Sequence, residues 1–144
     1  MEKQNYTATI VVNKSAEEAF KSINNVSKWW AKNFEGSSEK LDDVFTVRFG
    51  ETFVTFKIVE FIADKKVVWN VTDCNLHWLK DKKEWKGTKI SFEISEQRDS
   101  AQIVFTHIGL VPDAECYNDC QKGWDQNIKQ SLFKLITEGK GNPE

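Results

Sequence analysis

The sequence lacks the segments that would direct a protein to a membrane, to an extracellular space or to a nucleic acid. No run approaches the roughly 20 apolar residues that span a bilayer, and the N-terminus has no basic flank before an apolar core. Lysine and arginine number 20 against 22 acidic residues, and no window is densely basic. We therefore expect a cytoplasmic protein with no membrane insertion and no nucleic acid partner.

Cysteine is scarce, with three residues in the chain. An odd number of cysteines without an export signal predicts reduced thiols rather than a disulfide framework. Cys116 and Cys120 lie one helical turn apart, a spacing at which two thiolates can share a soft metal ion, but no CxxC motif or further ligand accompanies them. We expect two partly buried free thiols and no metal, with a metal site as the alternative.

The common enzyme motifs are also missing. The sequence contains no G-x-S-x-G, no phosphate-binding glycine loop, no dinucleotide fingerprint and no HExxH. Asp125 and Glu60 are single carboxylates without a visible partner, so no acid and base pair can be proposed. These absences favour a protein that is not an enzyme and uses no cofactor, although they leave catalysis open.

Large aromatic residues are abundant instead. Six tryptophans and ten phenylalanines occur in a chain of 144 residues, which has room for one domain. We expect a single domain over residues 1–144, with its core at about residues 5–138 and a disordered tail at 139–144. Aromatic side chains supply buried area in a core, and they also line ligand pockets.

Alternating apolar residues predict an α+β fold with helices segregated to one face of an antiparallel sheet. A strand at residues 6–12 is followed by a capping box at Ser15 to Glu18, a short helix, a second helical turn at 26–31 and a polar loop through Lys40. The further strands are expected at residues 45–49, 53–62, 67–72, 90–94 and 101–107. Between the third and fourth of these, residues 73–86 form a charged excursion that could fold down as a flap.

The last third of the chain predicts one long amphipathic helix at residues 113–138. One arc of this helix carries Tyr117, Cys120, Trp124, Ile128, Ser131, Leu132 and Leu135. A face that mixes a large indole with small residues either packs tightly on a sheet or leaves a pocket for an apolar ligand. Both interpretations stay open.

Four aromatic positions are candidates for function. His107 lies on the predicted inner face of the last strand, either as a hydrogen-bonded core residue or as a group that contacts a ligand or acts as an acid or base. Trp124 is expected to anchor the helix and also to line a pocket. Of Trp29 and Trp30, one is expected to pack under the sheet and the other to lie near the cavity mouth.

Several motifs together resemble the SRPBCC superfamily. They are VVNKSAEEAFKSI near the N-terminus, the pair Trp29-Trp30, the hairpin from Val59-Glu60 to Val68-Trp69, Thr106-His107-Ile108-Gly109, and Lys122-Gly123-Trp124. Within the superfamily, the chain is most similar to the activator of heat-shock protein 90 ATPase homologue family, from about Asn5 to about Ile136. The resemblance implies the START-like helix-grip fold, in which a curved antiparallel sheet of six or seven strands wraps around a long C-terminal helix and leaves a cavity.

Three functions remain open. The preferred one is non-catalytic binding of a small apolar or amphipathic molecule in the cavity, and the residues expected to bind it are Trp30, Phe45, Val47, Trp69, Phe92, Phe105, His107, Trp124, Asn127, Ile128 and Ser131. The resemblance also implies a chaperone cofactor or protein-interaction module, which would expose an apolar patch including Trp78 and Trp85. The third is a cyclase or hydrolase that uses His107 and a second polar group nearby.

Overall fold

Seven strands and a long C-terminal helix make up the part of the chain that the computed structural model describes, residues 5–111 and 117–143. The strands are β1 (Tyr6–Val12), β2 (Asn33–Gly36), β3 (Val44–Phe49), β4 (Thr52–Ile62), β5 (Lys66–Asn75), β6 (Lys89–Gln97) and β7 (Ser100–Ile108). The helices are α1 (Ala16–Asn24), α2 (Val26–Trp29), α3 (Tyr117–Gln126), a π-helical segment (Asn127–Leu132) and α4 (Phe133–Glu138).

The strands form one antiparallel sheet in the order β1-β7-β6-β5-β4-β3-β2. Side chains alternate between the two faces, so that Ala101, Ile103, Phe105 and His107 of β7 are all buried, as the sequence predicts. The pairing of β4 with β5 shifts register at Thr55/Phe56 and at Ile58/Glu60, and such bulges bend a sheet. The predicted α+β fold with a curved sheet is confirmed.

The first helix begins where the capping box predicts. The Ser15 hydroxyl oxygen accepts a hydrogen bond from the backbone N–H of Glu18 at 3.1 Å, which satisfies one of the free donors at the helix start. Ala19, Phe20 and Ile23 face inward, and α1 packs on β6, β7 and α4. The helices therefore cover one face of the sheet.

The C-terminal helix runs without a break from α3 through the π-helical segment to α4. Within the π-helical segment the backbone N–H of Phe133 reaches the carbonyl oxygen of Ile128, five residues earlier. The helix ends at Gly139, whose φ of 81° only glycine adopts without strain. The predicted start of this helix at residues 113–116 lies outside the described residues. None of the described helices is long and apolar enough to cross a membrane.

Two segments differ from the sequence-based expectation. Strand β2 replaces part of the expected polar loop because Phe34 pairs with Val47 and its ring stacks on Phe45 at 5.6 Å. The tail, expected to be disordered, is ordered at residues 139–143. The backbone N–H of Asn142 donates to the Ser131 hydroxyl at 2.7 Å, which ties the chain end to the helix.

Candidate functional site

A cleft of about 320 Å³ opens between α3, the ends of β3 and β4, and residues 76–86. Its lining consists of Trp30, Phe49, Thr52, Val54, Leu76, Trp78, Trp85, Asp119, Cys120, Gly123, Trp124 and Asn127. Known small-molecule sites occupy roughly 300–1,000 Å³, so this cleft accommodates a small ligand.

Stacked indoles form the inner wall of the cleft. The rings of Trp30 and Trp69 are parallel within 4° at a centroid distance of 6.4 Å, and those of Trp85 and Trp124 are parallel within 13° at 5.7 Å. Trp30 and Trp124 join the two stacks at 4.9 Å. Aromatic side chains therefore occupy space between the sheet and the helix behind the cleft.

Three of the residues predicted to bind a ligand line this cleft: Trp30, Trp124 and Asn127. The other eight are buried in the core behind it, namely Phe45, Val47, Trp69, Phe92, Phe105, His107, Ile128 and Ser131. They surround the aromatic stacks rather than an open space. Trp69 is notable among them because its buried indole N–H has no hydrogen-bond partner among the described residues.

His107 is fully buried and both of its ring nitrogens are engaged. The indole N–H of Trp124 donates to Nδ1 at 3.1 Å, so Nδ1 carries no proton and Nε2 does. Nε2 lies 2.9 Å from the hydroxyl of Thr88, which in turn donates to the carbonyl oxygen of Trp85 at 2.6 Å. Burial lowers the pKa of His107 to about 3. The imidazole is therefore neutral near pH 7 and acts as a hydrogen-bonding strut.

Trp29 and Trp30 are both buried. Trp29 is the last residue of the short helix α2, and Trp30 follows it as the C-cap. The indole N–H of Trp29 donates to the carbonyl oxygen of Ile23 at 3.0 Å, and its ring contacts Phe92. Trp30 extends past it to reach the cleft.

Asn127 is the buried polar group at the cleft wall. Only 6% of the residue is exposed, yet its side-chain amide makes no hydrogen bond to any other described residue. It opens the π-helical segment, a distortion that occurs frequently at functional sites. Its amide atoms are not among the fully enclosed polar atoms that lack a partner, so they face the open space of the cleft, where a ligand can bond to them.

Asp119, Cys120 and Gly123 of α3 also line the cleft, and none of the three is among the predicted binding residues. A Cβ atom placed on Gly123 would meet no other atom within 4 Å, so the glycine borders open space. Glycine within a helix costs roughly 0.5–1 kcal/mol relative to alanine. Close packing therefore does not require a glycine at position 123. In the sequence, the motif Lys122-Gly123-Trp124 is the feature that points to this part of the cleft.

The cysteines differ from the expectation in part. Cys74 is a buried free thiol, as expected, whereas Cys120 is disulfide-bonded, so the prediction of a free thiol there is wrong. Cys116 lies outside the described residues. Within residues 5–111 and 117–143, no three His, Cys, Asp or Glu side chains come together as a metal site would require.

Residues 76–86 cover one side of the cleft, as the predicted flap would. The backbone N–H of Leu76 donates to the carbonyl oxygen of Lys82 at 2.8 Å, which closes the segment into a compact loop. Trp85 at its end is 7% exposed and packs on Trp124, whereas Trp78 at the rim is 50% exposed. The loop thus contributes one indole to the inner wall and one to the mouth.

A larger hollow of about 730 Å³ lies elsewhere, between α1 and residues 34–39. Exposed charged side chains such as Glu17, Lys21 and Glu39 form much of its edge, and it contains no tryptophan. The smaller cleft has the denser apolar lining and the unpartnered amide, so it is the better candidate for a ligand site.

Solved structures share this architecture. The solution structure of the Aha1 dimer from Colwellia psychrerythraea matches with a TM-score of 0.78 at 23% identity, covering 96% of this chain and 99% of that one. The crystal structure of SSP2350 from Staphylococcus saprophyticus matches with a TM-score of 0.72 at 12% identity, covering 96% of each chain. That of MLL2253 from Mesorhizobium loti gives 0.69 at 12% identity, covering 91% and 96%.

No family model and no curated protein sequence matches the chain. At the identities of the solved structures, the likeness establishes the fold and carries no activity. The helix-grip fold implied by the sequence resemblance is therefore confirmed.

Proposed function

We propose that the protein binds a small apolar or amphipathic molecule in the cleft beside α3 and catalyses no reaction on it. The observation that carries this proposal is an apolar cleft lined by four indoles, with the Asn127 amide facing its open space and hydrogen-bonded to no other described residue. Apolar area removed from water contributes roughly 25 cal/mol per Å², so the indoles supply affinity. The amide fixes the orientation of a ligand through a donor and an acceptor.

The polar groups His107 and Asp125 already take part in hydrogen bonds or ion pairs within the protein, which supports binding without catalysis. His107 is neutral and hydrogen-bonded at both nitrogens, so it offers neither a free base nor an acid near pH 7. The Asp125 carboxylate accepts a hydrogen bond from the Tyr6 hydroxyl and lies 3.4 Å from the ammonium of Lys129. Neither His107 nor Asp125 is therefore assigned a role as an acid or a base towards a ligand in the cleft.

A second function, docking of a protein partner such as a chaperone, is supported by Trp78. Its indole is half exposed at the cleft mouth, and exposed aromatic residues are enriched at protein interfaces. The class of partner comes from the resemblance of the sequence to the activator of heat-shock protein 90 ATPase homologue family. Trp85 does not extend this patch because it is buried, which corrects the expectation that both indoles are exposed. Ligand binding is preferred because Trp78 alone is a small surface.

The proposed binding site is tested by a substitution at Gly123 that fills part of the cleft. Leucine at this position projects into space where a Cβ meets nothing within 4 Å, so the fold tolerates it while the cleft loses volume. The probe is neopentylbenzene, a neutral apolar molecule, and the readout is the set of six tryptophan indole signals in ¹H–¹⁵N spectra. We expect Gly123→Leu to weaken binding by at least about tenfold through the lost apolar contact area.

Lys122→Leu is the matched control because it adds the same side chain to the neighbouring, solvent-exposed position of α3. This variant should bind the probe as the wild type does. Circular dichroism checks that both variants keep the fold. Unchanged affinity in a folded Gly123→Leu protein would show that the cleft is not the binding site.

A further inference from the structure

We infer that the ligand carries a positively charged ammonium group, held at the cleft mouth between the Asp119 carboxylate and the Trp78 indole. This inference rests on the ligand-binding function proposed above and adds the charge of the ligand to it. It follows from three features of the cleft: the charge of its lining, the free face of Trp78 and the position of the Asn127 amide.

Asp119 is the one charged side chain in the lining of the cleft as the described residues form it. It is exposed, and no lysine, arginine or histidine within residues 5–111 and 117–143 makes an ion pair with it. A carboxylate in this position attracts a cation and repels an anion. The cleft is therefore selective by charge as well as by shape.

Two lysines of the neighbouring loop are engaged with other groups. The Lys82 ammonium donates to the carbonyl oxygens of His77 and Leu79 at 2.8 Å and 3.1 Å. The Lys83 ammonium donates to the Asp73 carboxylate at 2.9 Å. Neither lysine belongs to the lining of the cleft or forms an ion pair with Asp119.

Trp78 supplies the second contact for a cation. The other indoles of the lining stack on one another, whereas Trp78 contacts no other aromatic ring of the described chain and is half exposed. No other described aromatic ring covers its indole, and a cation over the face of a tryptophan is attracted by the negative charge density of the ring. Recognition of quaternary ammonium groups commonly combines such aromatic faces.

The Asn127 amide lies at the inner wall and does not discriminate between charges, because it both donates and accepts hydrogen bonds. Charge selection therefore falls to Asp119 at the mouth. The resulting ligand has an apolar body against the indoles and an ammonium group near the solvent. Its apolar body is small because the whole cleft measures about 320 Å³.

Three probes of nearly equal shape test the charge. They are benzyltrimethylammonium, its neutral carbon isostere neopentylbenzene, and the anionic phenylmethanesulfonate. We expect the cation to bind about three- to tenfold more tightly than the neutral probe and the sulfonate to bind most weakly, because each contact is partly exposed to solvent. Added salt should reduce the advantage of the cation and leave the neutral probe unaffected.

The variant Asp119→Asn removes the charge and keeps the shape. In this variant the cation should bind within about twofold of the neutral probe, whose own affinity stays unchanged. Glu138→Gln is the matched control because it makes the same change of net charge at the far end of the same helix. Thermal unfolding is measured for both, since an acidic residue in the first turn of a helix also stabilises it.

The outcomes separate this inference from the function on which it rests. If neopentylbenzene or the sulfonate binds wild-type protein as tightly as the cation does, the charge assignment fails while the cleft remains a ligand site. The same holds if Asp119→Asn leaves the preference for the cation intact. If none of the three probes shifts an indole signal, the proposed ligand-binding function fails as well.

Discussion

At the scale of single residues, the role of His107 depends on contacts that the sequence does not display. Its place on the inner face of β7 follows from the alternation of apolar residues, and that prediction is confirmed. Its partners are Trp124 of the C-terminal helix and Thr88, the residue before β6. Because these contacts arise only after folding, the pattern left the structural and the acid–base interpretations open.

Replacement of His107 by alanine should lower stability strongly. The change leaves the Trp124 indole N–H without its acceptor and opens a cavity in the core, and together we expect a loss of about 3–5 kcal/mol in the free energy of unfolding. Urea unfolding followed by circular dichroism measures it. His77→Ala, at an exposed site, should change stability by no more than about 0.5 kcal/mol. A near-neutral His107→Ala would contradict the role as a strut.

Asn127 and Trp124 illustrate how far the candidate site could be predicted from residue types. The helical spacing places Trp124 on the apolar arc and Asn127 beside it, and both line the cleft. Asp119 is not among the predicted binding residues because a single carboxylate on a helix carries no sequence signal of a site. Its role at the cleft depends on the distant Trp78, whose position is determined by the folded loop of residues 76–86.

At the scale of secondary structure elements, the C-terminal helix was predicted but its π-helical segment was not. An apolar arc counted at 100° per residue looks similar with or without one extra residue in a turn. Ser131 of this segment makes tertiary contacts: its hydroxyl donates to the carbonyl oxygen of Trp29 at 2.5 Å and accepts from the backbone N–H of Asn142. The second of these contacts holds the tail, where polar composition alone predicts disorder.

Two glycines on this C-terminal region should respond in opposite directions to the same substitution. A Cβ at Gly141 would lie 2.5 Å from the carbonyl oxygen of Lys28, so Gly141→Ala should cost about 1–3 kcal/mol of stability through overpacking. Gly123→Ala meets nothing and should add roughly 0.5–1 kcal/mol by improving helix propensity. Denaturant midpoints compare the two variants directly. Equal effects would show that the tail does not pack on the helix.

At the scale of the whole molecule, the fold was predictable because two different signals agree. Alternating strands give the sheet and its inward faces, and the family resemblance gives the arrangement around the C-terminal helix. The volume left inside was not predictable, because it depends on how closely large rings stack. Trp30, Trp69 and Trp124 occupy the centre, and the candidate cleft lies at the periphery.

The free energy of unfolding should decrease as the pH is lowered, over a range set by the pKa of His107. The pKa of His107 is about 3 in the folded state and 6.5 in the unfolded chain. Between these two pH values the imidazole binds a proton in the unfolded chain but not in the folded protein. The free energy of unfolding is therefore highest above pH 6.5. It should fall below that pH by up to about 1.4 kcal/mol per pH unit until the pH approaches 3.

Unfolding in urea between pH 6.5 and 4 isolates this effect. The lowered pKa values of the Asp43 and Asp73 carboxyls, caused first by hydrogen bonds from Ser37 and Lys83, make their contributions disappear only below this range. In His107→Gln the corresponding part of the slope should vanish, whatever the absolute stability of the variant. The same slope in both proteins would assign the proton uptake to another group.

The burial of the indoles also gives the protein an internal optical reporter. Five of the six tryptophans are enclosed and close enough for excitation energy to pass between their rings, so they emit as one shielded group. Trp78 is the exception, since a quencher dissolved in water can collide with it. A molecule that enters the cleft covers that indole, and the quenchable fraction of the fluorescence then counts occupied sites without any attached dye.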